Sequence, residues 1–270
     1  MMLVVPRDVL RPRRVDEHFA EEAAAARAAG HEVVLVDHDA LAGGREVQLS
    51  PGDGPAVYRG WMLSSGAYVG LARAAGLRTS AADYRRGHEL PGWYGGLAGF
   101  TPESVWTVGD DLGDFDEARA ALGSGAAVVR DYTKSMKHYW HEAAYIPELG
   151  DAEAAMAVAR RFRELRADDF AGGFVVRRFE EFTGAEARTW WVDGVCRLVT
   201  AHPDTAGALP PEIDVTFLSA AVAGLGLPFV TVDLAKRADG RWRVVELGDG
   251  QVSDRPVSAP AAEFIEAITP

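Results

Sequence analysis

The sequence predicts a small α/β domain over residues 1–95 followed by a larger α+β domain over residues 96–270, and three observations predict it. At the start of the chain, short apolar runs alternate with Ala- and Glu-rich helical stretches, the pattern of a βαβ unit. A glycine-rich stretch, His88 to Thr101, then interrupts the pattern. Beyond it, two Asp-Gly pairs lie between β-prone runs, the signature of antiparallel hairpins.

Leu3 to Val5 is the first strand, and Asp16 to Gly30 reads as a helix that Gly30 ends. Glu32 to Asp37 is the second strand. Ala56-Val57-Tyr58 is the third and runs into Arg59-Gly60-Trp61. A helix from Ser65 to Ala75 closes at Gly76. The segment holding Pro91, Gly92, Gly95, Gly96 and Gly99 argues for loop by composition, and the domain boundary is placed there. Next come a helix near Phe115 to Leu122, a strand Ala126 to Arg130, a polar segment with Lys134 and Lys137, and a long helix Asp151 to Arg166. Gly172-Gly173 opens a strand from Phe174 to Phe179. Asp193-Gly194 and Asp239-Gly240 are the hairpin turns, with a helix near Asp214 to Gly224 between them that packs on the sheet.

With 48% hydrophobic and 25% charged residues over 270 positions, the chain can bury a core unaided. A formal charge of −12 excludes extended tracking of a nucleic-acid backbone, which draws its affinity from clustered Lys and Arg. No apolar run approaches the roughly 20 residues that span a bilayer. The start, Met1 to Asp8, is too short an apolar stretch for a secretory signal. The single cysteine, Cys196, excludes an intrachain disulfide framework and a Cys-rich zinc site and fits a reducing compartment, so a cytoplasmic protein is expected.

The second hairpin carries the sharpest chemical inference. A two-residue loop at Asp239-Gly240 sets Asp233 directly against Glu246 on the facing strand. Like charges so placed cost up to about 1 kcal/mol. A divalent cation would offset that cost, and Mg²⁺ takes one or two carboxylates together with substrate phosphates. Asp249, in Leu247-Gly248-Asp249-Gly250-Gln251, is a third candidate ligand or acid. The competing reading is a longer loop, a shifted register and a carboxylate that faces water.

Arg130 ends an apolar strand, and Lys134, Lys137, His138 and His141 follow at spacings that would share one face of a helix. Such a cluster would neutralise a triphosphate or else form an ordinary solvated face. His138, His141 and Glu142 stand in an order that matches neither zincin pattern. The chain has no Gly-x-x-x-x-Gly-Lys-Ser/Thr loop, no Gly-x-Gly-x-x-Gly after a strand and no Gly-x-Ser-x-Gly elbow, so three common enzyme readings lose their support. Ligands of open α/β sheets gather beyond the carboxyl ends of the strands. Arg59 and Trp61 sit at such a place, and Arg59 is either a two-pronged holder of a substrate carboxylate or a structural Arg paired with an acidic neighbour.

Taken together, Val128 to Lys137, Gly172 to Arg177, Arg188 before the Asp193-Gly194 hairpin, and Val244 to Gln251 resemble the ATP-grasp superfamily, specifically its compact arginine-to-lysine clade. The resemblance extends upstream to Tyr58 to Leu63 and His88 to Tyr94 and so covers most of the chain. It implies a small pre-ATP-grasp domain followed by a compact ATP-grasp fold, ATP and Mg²⁺ as cofactors, and a nucleotide held between two α+β subdomains. Arg130 falls where the superfamily usually places a phosphate-binding Lys, with Lys134 in the following loop and Lys137 beyond it. Arg178, Glu180, Glu181 and Phe182 match the hinge that meets adenine and ribose. Arg188 matches the arginine that approaches the transferring phosphate, and Asp233 and Glu246 match the metal-binding carboxylates. Two positions depart from the pattern: Gly248 stands where many relatives have a metal-binding Asn, and Arg130 replaces Lys.

The implied activity is ATP-dependent ligation of a carboxylate to an amine, on a small-molecule or peptide substrate. A kinase on the same scaffold, a nucleotide-binding protein without turnover and an interaction domain are the alternatives.

Overall fold

Strand β1 (Met2–Pro6) is buried along its whole length, which is what a near-continuous apolar run at the centre of a parallel sheet requires. A computed structural model describes residues 1–49, 54–205 and 213–269. The chain divides into two units, one made of Met1–Gly87, Gly184–Ala235 and Glu246–Pro270, the other of His88–Thr183 and Lys236–Val245. The first division thus falls just before the glycine-rich stretch, and the chain re-enters the first unit twice.

In the first unit, α1 (Ala20–Ala28), β2 (Glu32–Val36), α2 (His38–Ala42), β3 (Ala56–Tyr58), α3 (Ser65–Ala75) and α4 (Ala81–His88) follow β1. The sheet runs β2-β1-β3, all parallel, with Met2 beside both Glu32 and Ala56. The period-two alternation of a strand sorts its side chains between two cores. Leu3, Val5 and Val57 pack with Phe19, Trp190 and Phe264, whereas Met2, Val4 and Tyr58 pack with Leu41, Leu71 and Tyr84.

The second unit begins with a correction. The stretch expected to be loop forms a helix, α5 (Leu90–Leu97), in which Pro91 occupies the first turn, where no N–H is missed, and Leu90, Trp93 and Leu97 are buried. Burial of these anchors outweighs the low helix propensity of three glycines. Next come β4 (Ser104–Trp106), α6 (Leu112–Leu122), β5 (Ala127–Asp131), β6 (Tyr145–Ile146), α7 (Ala152–Arg166) and β7 (Phe174–Arg178). The strands form an antiparallel sheet in the order β4-β7-β5-β6. Phe115 and Leu122 of α6 and Ala159 and Phe162 of α7 cover one face, over Val129, Phe174 and Val176. The register sets Arg130 opposite Val175 and Arg177 opposite Val128, on the other face. The single helical face expected for Lys134 to His141 does not form: a 3-10 turn (Lys137–Tyr139) and a π turn (Trp140–Ala144) occupy the segment and leave Lys134 outside both.

The rest of the chain supplies β8 (Phe182–Val192), β9 (Val195–Ala201), α8 (Thr216–Gly224), β10 (Phe229–Arg237), β11 (Trp242–Asp249) and α9 (Ala261–Ile268), with strand order β11-β10-β8-β9. The first hairpin forms as expected. Val192 pairs with Val195 across Asp193 and Gly194, both at positive φ as a type I′ turn demands, and a Cβ on Gly194 would meet Ala223 at 2.7 Å. The second does not. The Gly240 N–H donates to the Arg237 carbonyl and the Arg237 N–H to the Arg241 carbonyl, so the loop is Ala238-Asp239-Gly240, with Gly240 at φ 84° as the bulge residue. One added residue shifts the register by one and removes the reason the sequence had for setting Asp233 against Glu246.

Candidate functional site

On the second unit, a loop folded around one buried carboxylate carries the expected phosphate-binding residues. Oδ1 of Asp131 accepts hydrogen bonds from the Thr133 N–H, the Thr133 hydroxyl and the Lys134 N–H, and Oδ2 accepts from Arg166 Nε at 2.8 Å and the Ala171 N–H. Asp131 is wholly buried, and its five donors explain how it stays so. It is a site residue that the sequence reading passed over, although Asp two residues before Thr is a recognisable Asx-turn signal. Arg130 lies beside it, its guanidinium donating to the Asp131 and Thr133 carbonyls, while Lys134 and Lys137 are exposed.

The hinge residues separate by what they touch. Arg178 sits on the helix-covered face of its sheet and donates to the Leu122 and Ser124 carbonyls at the end of α6, where the helix dipole favours a cation. The guanidinium expected to approach a nucleotide is thus engaged at the helix end. Glu180 is held two-pronged by Arg243 at 2.8 and 2.9 Å, so its charge is balanced within the unit. Glu181 is exposed and Phe182 half-buried. Just before them, Phe179 stands edge-on to Tyr145, which stacks on Trp140 at 5.4 Å. The sequence reading did not pick out this half-buried aromatic group, because its members come from three separate elements.

On the first unit, Arg188 of β8 gathers the acidic residues. Its Nε and Nη2 donate to the two carboxylate oxygens of Asp233, each at 2.8 Å, Nη1 donates to the Asp254 carbonyl, and Nη2 also meets His202 Nε2 at 3.0 Å. Burial alone would raise the Asp233 pKa, but the charge and hydrogen bonds of Arg188, with His202 adding to them, bring it down to about 2. Burial likewise disfavours the Arg188 charge, and Asp233, Glu246 and Asp254 outweigh that and hold the guanidinium protonated. The two carboxylates are therefore neighbours of one arginine, for a reason other than the expected hairpin register. Among the described residues, no group of three or more His, Cys, Asp or Glu side chains could hold a metal ion alone. Two carboxylates, one kept ionised, fit Mg²⁺, which leaves its other positions to water and phosphate.

Asp249 and Arg59 are engaged by neighbours within the unit. Asp249 is 1% exposed, and its Oδ1 accepts from the Gln251 N–H and side-chain amide, capping the turn that follows β11. Burial raises its pKa to about 7 against the opposing pull of Gln251 and Arg59. Arg59 is 1% exposed and fully engaged, with Nε and Nη2 on the two oxygens of Glu22 and Nη1 on the Gly250 carbonyl, and it lies over the Phe264 ring. The structure favours the structural arginine of the two readings, since the side chain is buried and each of its three nitrogens already has a partner. Trp61 remains partly exposed, packs on His18 and Phe19, and lines a cavity of about 170 Å³ together with Arg7, Asp37 and Arg45.

A family model described as the ATP-grasp domain, arginine-to-lysine clade, family 3, matches residues 121–268. The chain belongs to the ATP-grasp superfamily. The structure agrees with that assignment: a D-cycloserine synthetase aligns with TM-score 0.64 at 19% identity, over 99% of this chain and 98% of its own. An ATP-grasp RimK domain protein from Sphaerobacter thermophilus aligns with TM-score 0.61 at 18% identity, over 98% and 99%. The macrocyclase MdnC from Microcystis aeruginosa, bound with its precursor peptide, aligns with TM-score 0.56 at 12% identity, over 99% of each chain. No curated protein matches at a significant level. At these identities the likeness concerns the fold. This ATP-grasp chain has no helix, among its described residues, long and apolar enough to cross a membrane.

Proposed function

We propose that this ATP-grasp enzyme activates a substrate carboxylate with ATP and joins it to an amine. The observation that carries the reading is the Arg188 cluster: a buried guanidinium in two-pronged contact with Asp233, on which the charges of Glu246 and Asp254 also act. A carboxylate oxygen attacks the γ-phosphorus, the bond to ADP breaks, and an acyl phosphate forms. The amine nitrogen then attacks the acyl carbon, phosphate leaves with the electron pair of the C–O bond, and the nitrogen gives up a proton.

The protein's part in this is positioning and electrostatics. Arg130, with Lys134 and Lys137 exposed after it, supplies positive charge for the nucleotide phosphates. Glu181 and Phe182, at the hinge, face the ribose and base. Arg188 stabilises charge on the transferring phosphoryl group and on the departing phosphate. Asp233 and Glu246 would hold Mg²⁺, which when bound neutralises part of the phosphate charge. Similarity to a D-cycloserine synthetase and to a macrocyclase bound with a precursor peptide supports a small-molecule or peptide substrate.

The test is to incubate the protein with ATP, Mg²⁺ and panels of carboxylates and amines, following ADP, phosphate and products. The ligase reading expects phosphate only when both substrates are present, together with an amide. ADP with a stable phosphorylated product would assign a kinase instead. Nucleotide binding, seen as a raised Tm, with no ADP formed under any combination would assign a binding protein.

A further inference from the structure

Beside Asp233, the Arg188 guanidinium has a second side-chain partner, His202, which the proposed chemistry has not yet used. In the β8–β9 ladder Arg188 lies opposite Thr200, and the His202 N–H donates to the Glu186 carbonyl, so the pairing continues past Ala201. The period of two places His202 on the same face as Thr200, diagonal to Arg188 and within reach of a long side chain. Pro203 follows and confines His202 to extended backbone, and the Thr205 N–H donates to the His202 carbonyl at 2.9 Å. Both main-chain groups of His202 are thus held, and its side chain is only 15% exposed.

Two donors compete for the ring. Arg188 Nη2 lies 3.0 Å from Nε2, and the Asp204 N–H points at Nδ1 from 3.2 Å. A neutral imidazole accepts at one nitrogen only, and a guanidinium does not give up its protons. A proton on Nε2 would set two N–H groups against each other at 3.0 Å, beside a charge that is itself buried. Giving up the other bond costs less, because Asp204 is exposed and water can serve its N–H. The lone pair therefore sits on Nε2 and the proton on Nδ1, with Asp204 Oδ2 at 3.8 Å. The pull of His202 on Asp233 belongs to acid, where the ring carries both protons.

A guanidinium has five N–H groups. On Arg188, Nε and one N–H of Nη2 go to Asp233, the second N–H of Nη2 goes to His202, and one N–H of Nη1 goes to the Asp254 carbonyl. Three partners fix the plane of the group. Among the described residues, a single Nη1 N–H is left to meet a phosphoryl oxygen.

We propose that His202 is a positioning residue: as a neutral acceptor on Nη2 it fixes the guanidinium so that the remaining Nη1 N–H is presented to the transferring phosphoryl group. The inference rests on the ligase reading for the role of Arg188, and on hydrogen-bond geometry alone for the tautomer.

Two amides separate this role from a structural one, since Gln sets its side-chain oxygen near the place of Nε2 and Asn sets it near that of Nδ1. His202→Leu should lower the kcat for ADP formation about 10²-fold, the scale of a misplaced catalytic group, with the ATP KM and Tm little changed. His202→Gln should restore most of that loss, and His202→Asn should not. Without nucleotide, nitrogen NMR spectra of isotope-labelled histidine at about pH 8, with His202 assigned by its absence from the Gln variant, should show the proton on Nδ1. The Arg188 Nε–H should exchange slowly with solvent in the natural protein and in His202→Gln, and about tenfold faster or more in His202→Leu. Rescue by Asn in place of Gln would assign His202 to the turn at Asp204, and that result, a proton on Nε2 or full turnover in His202→Leu would each overturn the proposal. The ligase reading fails separately. A protein that forms no ADP with any pair of substrates loses that reading, while the tautomer and the Arg188 exchange rates still decide whether His202 holds the guanidinium.

Discussion

Asp233 and Asp249 stand on neighbouring strands of one sheet, are both buried, and carry opposite charge habits. Asp233 faces the Arg188 guanidinium and is brought to about 2, against a burial effect that alone would raise it. Asp249 meets an amide and its own backbone turn, and burial carries it to about 7. Burial is common to both, so the difference is the partner: the guanidinium in direct contact outweighs the desolvation of Asp233, and the amide beside Asp249 does not. The sequence reading had placed both among the metal ligands. The surroundings suit that role better in Asp233, and the Asp249 side chain caps a turn.

Substituting the two aspartates tests the comparison where the expected effect is largest. Asp233→Asn should lower phosphate release about 10²–10³-fold or more, because it strips the charge that fixes Arg188. Asp249→Asn, which removes a charge the interior disfavours, should leave turnover little changed. If the assay showed the reverse order, Asp249 would be the ligand and the capping role incidental.

A second contrast sets Arg188 against Arg59, the other buried arginine with a two-pronged carboxylate. Arg59→Ala removes the two-pronged partner of buried Glu22 and leaves it only the longer ion pair with Arg255 at 3.6 Å, so it should cost about 3 kcal/mol in urea unfolding, with ATP affinity of the folded fraction unchanged. A variant that melts normally but fails to bind substrate would restore Arg59 to the site.

The pH dependence of stability should show both aspartates with opposite sign. Asp249 has a raised pKa, so between its ordinary value of 3.8 and about 7 the folded state keeps a proton that the unfolded state releases, and stability falls as pH rises through that window. Asp233 has a lowered pKa, so its contribution is present above 3.8 and is lost as pH falls toward about 2. Asp249→Asn should flatten the first slope and leave the second. An unchanged slope between pH 4 and 7 in Asp249→Asn would show that another group titrates there. The smallest effect expected is at Lys134, exposed in its loop: Lys134→Ala should raise the ATP Kd severalfold with no change in Tm, and an unchanged Kd would make that lysine part of a solvated face.

Much of this was legible in the sequence where local rules decide. The strand pattern of β1, the left-handed close of α3 at Gly76 and the two-residue Asp193-Gly194 turn all follow from residues within a few positions of one another. The Asp239-Gly240 pair carries the same signature yet closes a three-residue loop, because a type I turn with a glycine bulge uses the same residue types. The glycines of α5 misled because helix propensity is weaker than the burial of Leu90, Trp93 and Leu97. At the site, the family resemblance marked Arg130, Arg188, Asp233 and Glu246. It could not show that Arg178 would cap α6 or that Glu180 would be claimed by Arg243, since those partners are distant in sequence and set by packing.

The central claim is that Arg188, Asp233 and Glu246 form the centre of a two-step ligation. Glu246→Gln tests it most directly, since the swap keeps shape, and Glu246 is only half-buried, so the fold should tolerate it. The measurement is ADP, phosphate and amide formed with ATP, Mg²⁺, a carboxylate and an amine by the natural protein and the variant, each checked for an unchanged Tm. The account predicts equal amounts of ADP, phosphate and amide from the natural protein and none of the three from Glu246→Gln. Undiminished amide formation by a correctly folded Glu246→Gln variant would contradict it.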